Sequence, residues 1–507
     1  MSLPRRPVVA VVGGGIAGLA AAWELVGAPG GEAPGPEVHV LEADDRIGGK
    51  LRATEFAGRT VDLAADAFLA RRPEATGLCD ELGLTGSLVP VGASGASLWA
   101  RGRLRSMPAG LNLGIPTRWW PLFRSGILSP AESLRVARDL LPFRPGANGE
   151  AGDRSVGDIV GSRLGRPVVE RLADPLIGGI NAGGVDDLSA AATFPVLIAA
   201  AHQPGSLMRR LRIPPRAPAP ERAASGAPTP LFWSLAGSTA SLAVELGRAL
   251  VGRGVTVHTG APVESVRRSG AGRDAPGWEL DLGGDDGPRS LVVDGLVLAL
   301  PARGAAVLLA GVAPGSAGML STIDCASVAV VTLAFPLGAI RSPLRGTGFL
   351  VPRSGNIGGR SALVTGATYL GRKWPHLARP GDELIRVSAG RFGDNRPAAM
   401  DDGELVGAVI GELSQVFDIG DAPSETLVTR WVDAFPQYRV GHLIRVGRIE
   451  QELAGLGGVA VAGASYRGVG IPACIGSGRA AARRVLEELG GVTPPSNGST
   501  SGPDPAG

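Results

Sequence analysis

Lysine is nearly missing from this chain: Lys50 and Lys373 are the two lysines among 50 basic residues, and arginine supplies the rest. With 78 glycines in 507 residues, that bias points to the codon usage of a GC-rich genome. Formal net charge is +3 and no long run of like charge occurs, which argues against nucleic acid as a partner. Cysteine is scarce as well. Cys79, Cys325 and Cys474 are scattered and form no CxxC, so neither a disulfide framework nor a zinc site is signalled. Buried, reduced thiols in a reducing compartment are expected, with Cys474 read as packing. The five histidines show no HxxxH or HExxH spacing, and no metal is predicted. Long apolar runs are missing too: residues 7–23 and 325–340 fall short of the roughly 20 residues a spanning helix needs. Arg5 and Arg6 before an apolar stretch imitate a secretory signal, but that stretch stops at Gly13 and runs into a helical pattern, so no cleaved signal is expected.

What is present is organised as two or three packed regions, as the length demands. Residues 7–13 read as a short strand, 16–26 (IAGLAAAWELV) as a close-packed helix, and 37–43 (EVHVLEA) as a second strand. Residues 107–215 look mainly helical, and Ser129 with Glu132 in SPAE makes a capping box. RPGANGEAGDR (144–154) reads as a surface loop. PPRAPAPERAASGAPTP (214–230) is too rich in Pro and Ala to pack. A helix is expected at 238–252, strand signals alternate through 325–450 with a helix at 402–417, and a last strand (458–463) precedes a loop and helix ending near Leu489.

Between the first strand and first helix lies Gly13-x-Gly15-x-x-Gly18. The first glycine allows a tight turn, the second lets backbone approach a pyrophosphate, and the third permits close helix–strand packing, with the helix N-terminus facing the phosphates. Glu42 closes the second strand, where a carboxylate would accept hydrogen bonds from the adenosine ribose. The competing reading is a glycine turn in an unrelated α/β domain.

DRIGGK (45–50) resembles the Arg-x-Gly-Gly-Arg/Lys turn that follows the second strand in flavoproteins of the amine-oxidase and protoporphyrinogen-oxidase superfamily. GVAVAGASYRGVGIPACIGSGRAAARRVL (458–486) resembles that superfamily's second flavin signature. DAFLARRPEA (66–75), GIPTRWWP (114–121), DPLIGGINAG (174–183), GTGFLVPR (346–353), RKWPHL (372–377) and TRWVDAFPQYRVGH (429–442) are similar to one branch, the porphyrinogen oxidases of haem biosynthesis. The resemblance runs to about residue 489.

It implies an α/β (α+β) chain with a discontinuous Rossmann-like FAD-binding domain, a sheet-based substrate domain and a helical domain. The expected division is 1–72, 231–303 and 451–489 for FAD, 73–213 for the mainly helical substrate- or membrane-facing domain, 214–230 for a mobile loop, 304–450 for the substrate sheet, and 490–507 for a disordered tail. Implied cofactor contacts are Gly13, Gly14, Gly15, Ile16, Ala17, Gly18, Glu42, Ala43, Arg46, Gly49, Lys50, Ala64, Ala65, Asp66, Ala67, Val263, Trp431, Gly463, Gly470, Ile471 and Pro472. The N–H groups near Gly470–Pro472 would face the flavin edge that turns negative on reduction. The implied reaction oxidises coproporphyrinogen III to coproporphyrin III in successive rounds, with O2 as acceptor and H2O2 as by-product. Protoporphyrinogen IX is the alternative substrate, and the GC-rich bias favours the bacterial, coproporphyrinogen-linked group.

Four propionates call for arginines, which bind carboxylates bidentately. Arg71 and Arg72 are the substrate candidates, with solvated surface charge as the equal reading. Asn181 is either a polar pocket residue or a loop cap. No general base is named. Ala64-Ala65-Asp66-Ala67 departs from the family's glycine-containing turn, and Ala473 stands where an acid is common. Rival readings are an amine oxidase or carotenoid desaturase, against the first of which 4% aromatics argues, and a non-enzymatic flavin-bearing porphyrin carrier. Transient contact with a downstream ferrochelatase and a cytoplasmic location are expected. Trp119 and Trp120 read as core or pocket wall rather than a peripheral membrane anchor.

Overall fold

The structure, a computed structural model, describes residues 5–27, 35–141, 152–212, 230–270, 277–284 and 289–490. Most of the surface loop, the Pro-rich loop and the tail read from sequence lie outside the described residues. A five-stranded parallel sheet runs Thr256–His258, Glu37–Leu41, Val8–Val12, Gly295–Leu298, Val459–Val461. In chain order this is 3-2-1-4-5, the arrangement of doubly wound dinucleotide-binding folds. Along Val8–Val12, Gly295–Leu298 and Val459–Val461 both faces are largely buried, which is why these three strands are continuous apolar runs, whereas Glu37–Leu41 and Thr256–His258 carry polar residues. Val9, Val11, Val38 and Val40 pack beneath helices Ile16–Leu25, Ala240–Gly252 and Ile471–Glu488. Ala10, Val12, Leu296 and Leu298 pack on the other side against helices Ala302–Leu309, Pro314–Ser321 and His442–Leu456. Three separated stretches of sequence therefore share one sheet.

A second sheet of seven strands is ordered Glu425–Pro436, Cys325–Pro336, Asp382–Ala389, Val364–Tyr369, Gly348–Leu350, Ser97–Ala100, Arg103–Ser106. Its pairings are antiparallel except that between Gly348–Leu350 and Ser97–Ala100. Alternation decides its faces: Ala329, Val331, Leu333, Ile385 and Val387 join the core beneath helix Asp402–Val416, while Val328, Val330, Arg386 and Ser388 point to the opposite side. The last two strands fall inside the segment read as mainly helical. Arg101 and Gly102 join them in a two-residue turn with φ of 55° and 72°, the positive values a tight hairpin needs.

After a two-stranded ribbon of Leu111–Asn112 and Ile115–Pro116, the described residues up to 212 pack mainly as helices around Ile159, Val168, Leu172 and Leu197. The capping box forms: Ser129 Oγ accepts from Glu132 N at 3.3 Å, and Glu132 Oε2 accepts from Ser129 N at 2.7 Å. Residues 169–178, expected at 3.6-residue periodicity, instead form a wider π-helix. Pro175 lies inside it, and a proline without an N–H favours such a widened turn over a regular one. Trp119 is tied in, donating from Nε1 to Ser133 O at 2.6 Å, whereas Trp120 is 57% exposed. Among the described residues no helix is long and apolar enough to cross a membrane.

Helices Ile16–Leu25 and Ile471–Glu488 touch backbone to backbone. A Cβ on Gly478 would lie 2.0 Å from Ala17 O, and one on Gly18 would lie 1.9 Å from Gly13 O. Gly478→Ala is expected to destabilise by about 1–3 kcal/mol through overpacking. Gly318→Ala, in a helix with nothing within 4 Å, is expected to be neutral or stabilising by about 0.5–1 kcal/mol. Denaturant unfolding of both variants checks the contrast.

Candidate active site

A cavity of about 370 Å³ opens at the C-terminal ends of the parallel strands. Gly13 N donates to Leu41 O at 2.8 Å and Gly14 N to Glu42 Oε2 at 2.6 Å, so the glycine turn is pinned to the end of the second strand. Glu42 Oε1 also accepts from Asp44 N, and its carboxylate still lines the cavity. A Cβ on Gly15 would meet nothing within 4 Å: the backbone faces open space, as a pyrophosphate site requires. Gly15 and Gly470 are the N-caps of helices Ile16–Leu25 and Ile471–Glu488, and neither end has a side-chain cap. Two helix N-termini thus present uncapped N–H groups to one apolar cavity. That donor set fits a dinucleotide whose phosphates and ring carry negative charge.

The structure brings Gly13, Gly15, Ile16, Ala17, Glu42, Gly49, Lys50, Ala64, Ala65, Ala67, Gly463, Gly470 and Ile471 to this cavity. Other expected contacts do different work. Gly14 orients Glu42, Gly18 packs, and Pro472 sits in the first turn of its helix. Ala43 is exposed, and Arg46 donates to Ile47 O and Gly49 O, shaping its own turn. Val263 pairs with Leu282 in an antiparallel ribbon, outside the cavity lining. Cys474, read as packing, lines the cavity with Cys325. Burial pushes the Cys474 thiol up to about 11. Lys50 Nζ donates to Ala434 O; burial lowers its pKa, with Cys474 and Cys325 opposing.

Asp66 corrects the sequence reading most sharply. Its carboxylate turns away from the cavity and accepts from Lys373 Nζ (2.9 and 3.1 Å) and Trp374 Nε1 (2.9 Å), while Arg386 Nη2 lies 2.6 Å away. Burial alone would raise its pKa, but Arg386 and Lys373 hold it well below the usual carboxylate range. None of Ala64, Ala65 or Ala67 needs a positive φ, so the missing glycine is no obstacle here. Trp431 donates to Leu63 O at 3.0 Å and faces a second cavity rather than the first.

That second cavity, about 320 Å³, shares Ala64, Ala65, Phe435, Val469 and Gly470 with the first. Val328, Val330 and Val351 give it apolar walls, and Arg386, Arg391, Thr365, Thr368, Ser388 and Asp174 add polar ones. Arg71 and Arg72 are elsewhere: both are exposed, and Arg72 pairs with Glu74 at 2.7 Å before helix Pro73–Glu81. Asn181 is a cap. Its Nδ2 donates to Ile177 O at 2.8 Å and its carbonyl accepts from Gln437 Nε2. The arginines missed by sequence reasoning had one usable signal, since LIRVSA alternates apolar Ile385 and Val387 with Arg386 and Ser388.

The flavin containing amine oxidoreductase model matches residues 16–486. The chain belongs to that family. Within it, the chain is 32% identical to the coproporphyrinogen III oxidase of Bacillus subtilis, covering 96% of this chain and 100% of that protein. It is 34% identical to the coproporphyrinogen III oxidase of Propionibacterium freudenreichii (96% and 92% covered) and 32% identical to bovine protoporphyrinogen oxidase (94% and 98% covered). A solved structure from Exiguobacterium, assigned as a protoporphyrinogen oxidase, superimposes with a TM-score of 0.80 at 29% identity, covering 96% of this chain and 99% of that one. These relatives place the chain in the porphyrinogen-oxidase branch, a flavin-dependent oxidoreductase. The residues lining the first cavity are those that would hold the family's flavin.

Gly15→Asp is expected to abolish flavin binding, seen as loss of the visible flavin absorbance, while leaving the apoprotein's Tm unchanged or raised, because Asp is a good N-cap. Asp66→Asn leaves two buried cations underpaired and should cost about 3–5 kcal/mol in denaturant unfolding. Asp62, buried beside Thr239, has its pKa raised to about 6, by burial first and by Asp66 among smaller causes. A folded pKa above the unfolded value means that ionisation opposes folding. The penalty builds as pH rises from about 4 and levels off above about 6, reaching on the order of 3 kcal/mol. The Tm of Asp62→Asn relative to the native chain should accordingly be higher at pH 8 than at pH 4.

Proposed function

We propose that this protein oxidises coproporphyrinogen III to coproporphyrin III, using FAD, with O2 as acceptor and H2O2 as by-product. The observation that carries the reading is the pair of adjoining cavities. One fits a dinucleotide, and the other is an apolar slot with guanidinium groups on its wall, sharing Ala64, Ala65, Val469 and Gly470 with the first. When bound, FAD supplies a two-electron acceptor that O2 can reoxidise. The chain's residues bind and orient. Val328, Val330 and Val351 exclude water from an apolar macrocycle, and the shared alanine and glycine wall admits close approach. The helix N-terminus at Gly470–Ile471 favours negative charge where the two cavities meet. Among the titratable groups of the second cavity, Asp174 has the buried, ill-solvated carboxylate, its pKa raised by burial.

Protoporphyrinogen IX is the second reading, favoured by the bovine relative at the same 32% identity as the Bacillus enzyme. A cytoplasmic setting belongs to the proposal and accords with three free thiols, of which Cys79 and Cys474 are buried. Aerobic turnover of flavin-loaded protein with both porphyrinogens, followed by porphyrin fluorescence and peroxide release, decides. Faster oxidation of the copro substrate is expected. A preference for protoporphyrinogen IX transfers the assignment to that substrate, and oxidation of neither sinks the porphyrinogen reading.

A further inference from the structure

The second cavity holds more positive charge than the protein itself neutralises. Arg386 and Lys373 share Asp66, so each of these two cations has a carboxylate in contact. Arg391 is different. It follows strand Asp382–Ala389 in a turn closed by Asp394 N donating to Arg391 O at 2.9 Å. The turn is clamped to the opposite wall by Phe392 N donating to Ala182 O at 2.7 Å. Arg391 lines the cavity, yet its guanidinium makes no hydrogen bond or ion pair to any described residue. The nearby carboxylates are engaged: Asp394 is held by Arg396 at 2.7 and 2.9 Å, and Asp174 accepts from Val185 N and Arg353 N, each at 3.3 Å.

Arg353 adds to the imbalance. Its one described side-chain hydrogen bond is a long donation to Phe392 O at 3.3 Å, and its guanidinium lies against Gly184, next to Gly183 in the cavity wall. Around this end of the cavity Arg391 and Arg353 share Asp174, and Asp394, the other carboxylate acting on Arg391, is already held by Arg396. Burial, and then repulsion from Arg353, lower the pKa of Arg391. A guanidinium held in low dielectric without a partner is costly unless a ligand brings the anion.

We propose that Arg391, seconded by Arg353, is the carboxylate anchor of this cavity, taking a propionate of the tetrapyrrole in a bidentate pair and so fixing which bridge carbon faces the flavin. The inference rests on the porphyrinogen reading and adds to it the residue that recognises the substrate's charge. It also assigns to the 390–394 turn the role that the sequence expected of Arg71 and Arg72. A planar fork suits this position because a carboxylate accepts two parallel N–H bonds, which set orientation as well as affinity.

The test is fluorescence titration of flavin-loaded native protein, Arg391→Gln, Arg391→Lys and Arg353→Gln with coproporphyrin III and with its tetramethyl ester. Arg391→Gln should weaken binding of the acid by roughly 10- to 100-fold, with flavin content and Tm unchanged. Arg391→Lys should recover part of the loss, and Arg353→Gln should show a smaller one. The uncharged ester should bind weakly to the native protein and to Arg391→Gln alike. Unaltered affinity of Arg391→Gln for an acid that the native protein binds overturns the anchor alone. Failure of the native protein to bind coproporphyrin III or to oxidise its porphyrinogen overturns the parent reading and the anchor together. Should Arg391→Gln lose its flavin, the native protein decides by itself, because equal affinity for acid and ester overturns the anchor.

Discussion

The first cavity depends on a contact that no side chain makes. Where helix Ile16–Leu25 crosses helix Ile471–Glu488, Gly478 removes the Cβ that would collide with Ala17 O, and Gly18 does the same beneath Gly13 O. Close approach at this crossing sets the positions of both helix N-termini, one from each end of the chain, at one cavity. Add a methyl group to the crossing and the phosphate end and the ring end of the site no longer keep their spacing. The parallel sheet explains why this can happen across so long a sequence. Its central strand Val8–Val12 pairs with Gly295–Leu298, which in turn pairs with Val459–Val461.

Asp66 performs the equivalent task between the two sheets. It belongs to the 64–67 turn whose alanines line the cofactor cavity, but its carboxylate binds Lys373, Trp374 and Arg386, which come from the segments around the seven-stranded sheet. A buried carboxylate with two cations gains little net stability over an apolar packing of the same volume, and breaking it is expensive. What it supplies is registration. The wall common to both cavities is fixed relative to the strand that carries Arg386, so the two cavities are held in one geometry.

Local signals were legible where backbone chemistry alone dictates structure. The glycine turn, the acidic residue at Glu42, the Ser129–Glu132 capping box and the Cys325–Pro336 strand all follow from propensity, spacing or period. Reading failed where a residue's role is set by a distant partner. Asp66 looked like a cofactor contact because it sits among Ala64, Ala65 and Ala67, which line the first cavity, and nothing in the sequence shows Lys373 and Arg386 converging on it. Arg71 and Arg72 lie beside a motif but leave strand Phe68–Leu69 into a solvent-exposed turn. Asn181 could be assigned only once Ile177 O was seen four residues behind it. The paired strands Ser97–Ala100 and Arg103–Ser106 escaped because Arg-Gly is a weaker turn signal than Asn-Gly.

The scarcity of lysine acquires a meaning from the structure. A compositional bias towards arginine replaces lysine wherever either cation serves, which on an exposed surface is nearly everywhere. Of the two lysines, Lys50 lines the first cavity and donates to Ala434 O, while Lys373 donates to Asp66 behind the 64–67 turn of its wall. At Asp66 the carboxylate already takes Trp374 Nε1 and lies against the guanidinium of Arg386, so a second planar fork would compete for the same lone pairs. At Lys50 the acceptor is one backbone carbonyl, which a compact point charge can meet without the five donors of arginine needing partners in an apolar wall. Arg391 is the converse case, a fork on the wall of the second cavity with no hydrogen-bond acceptor among the described residues.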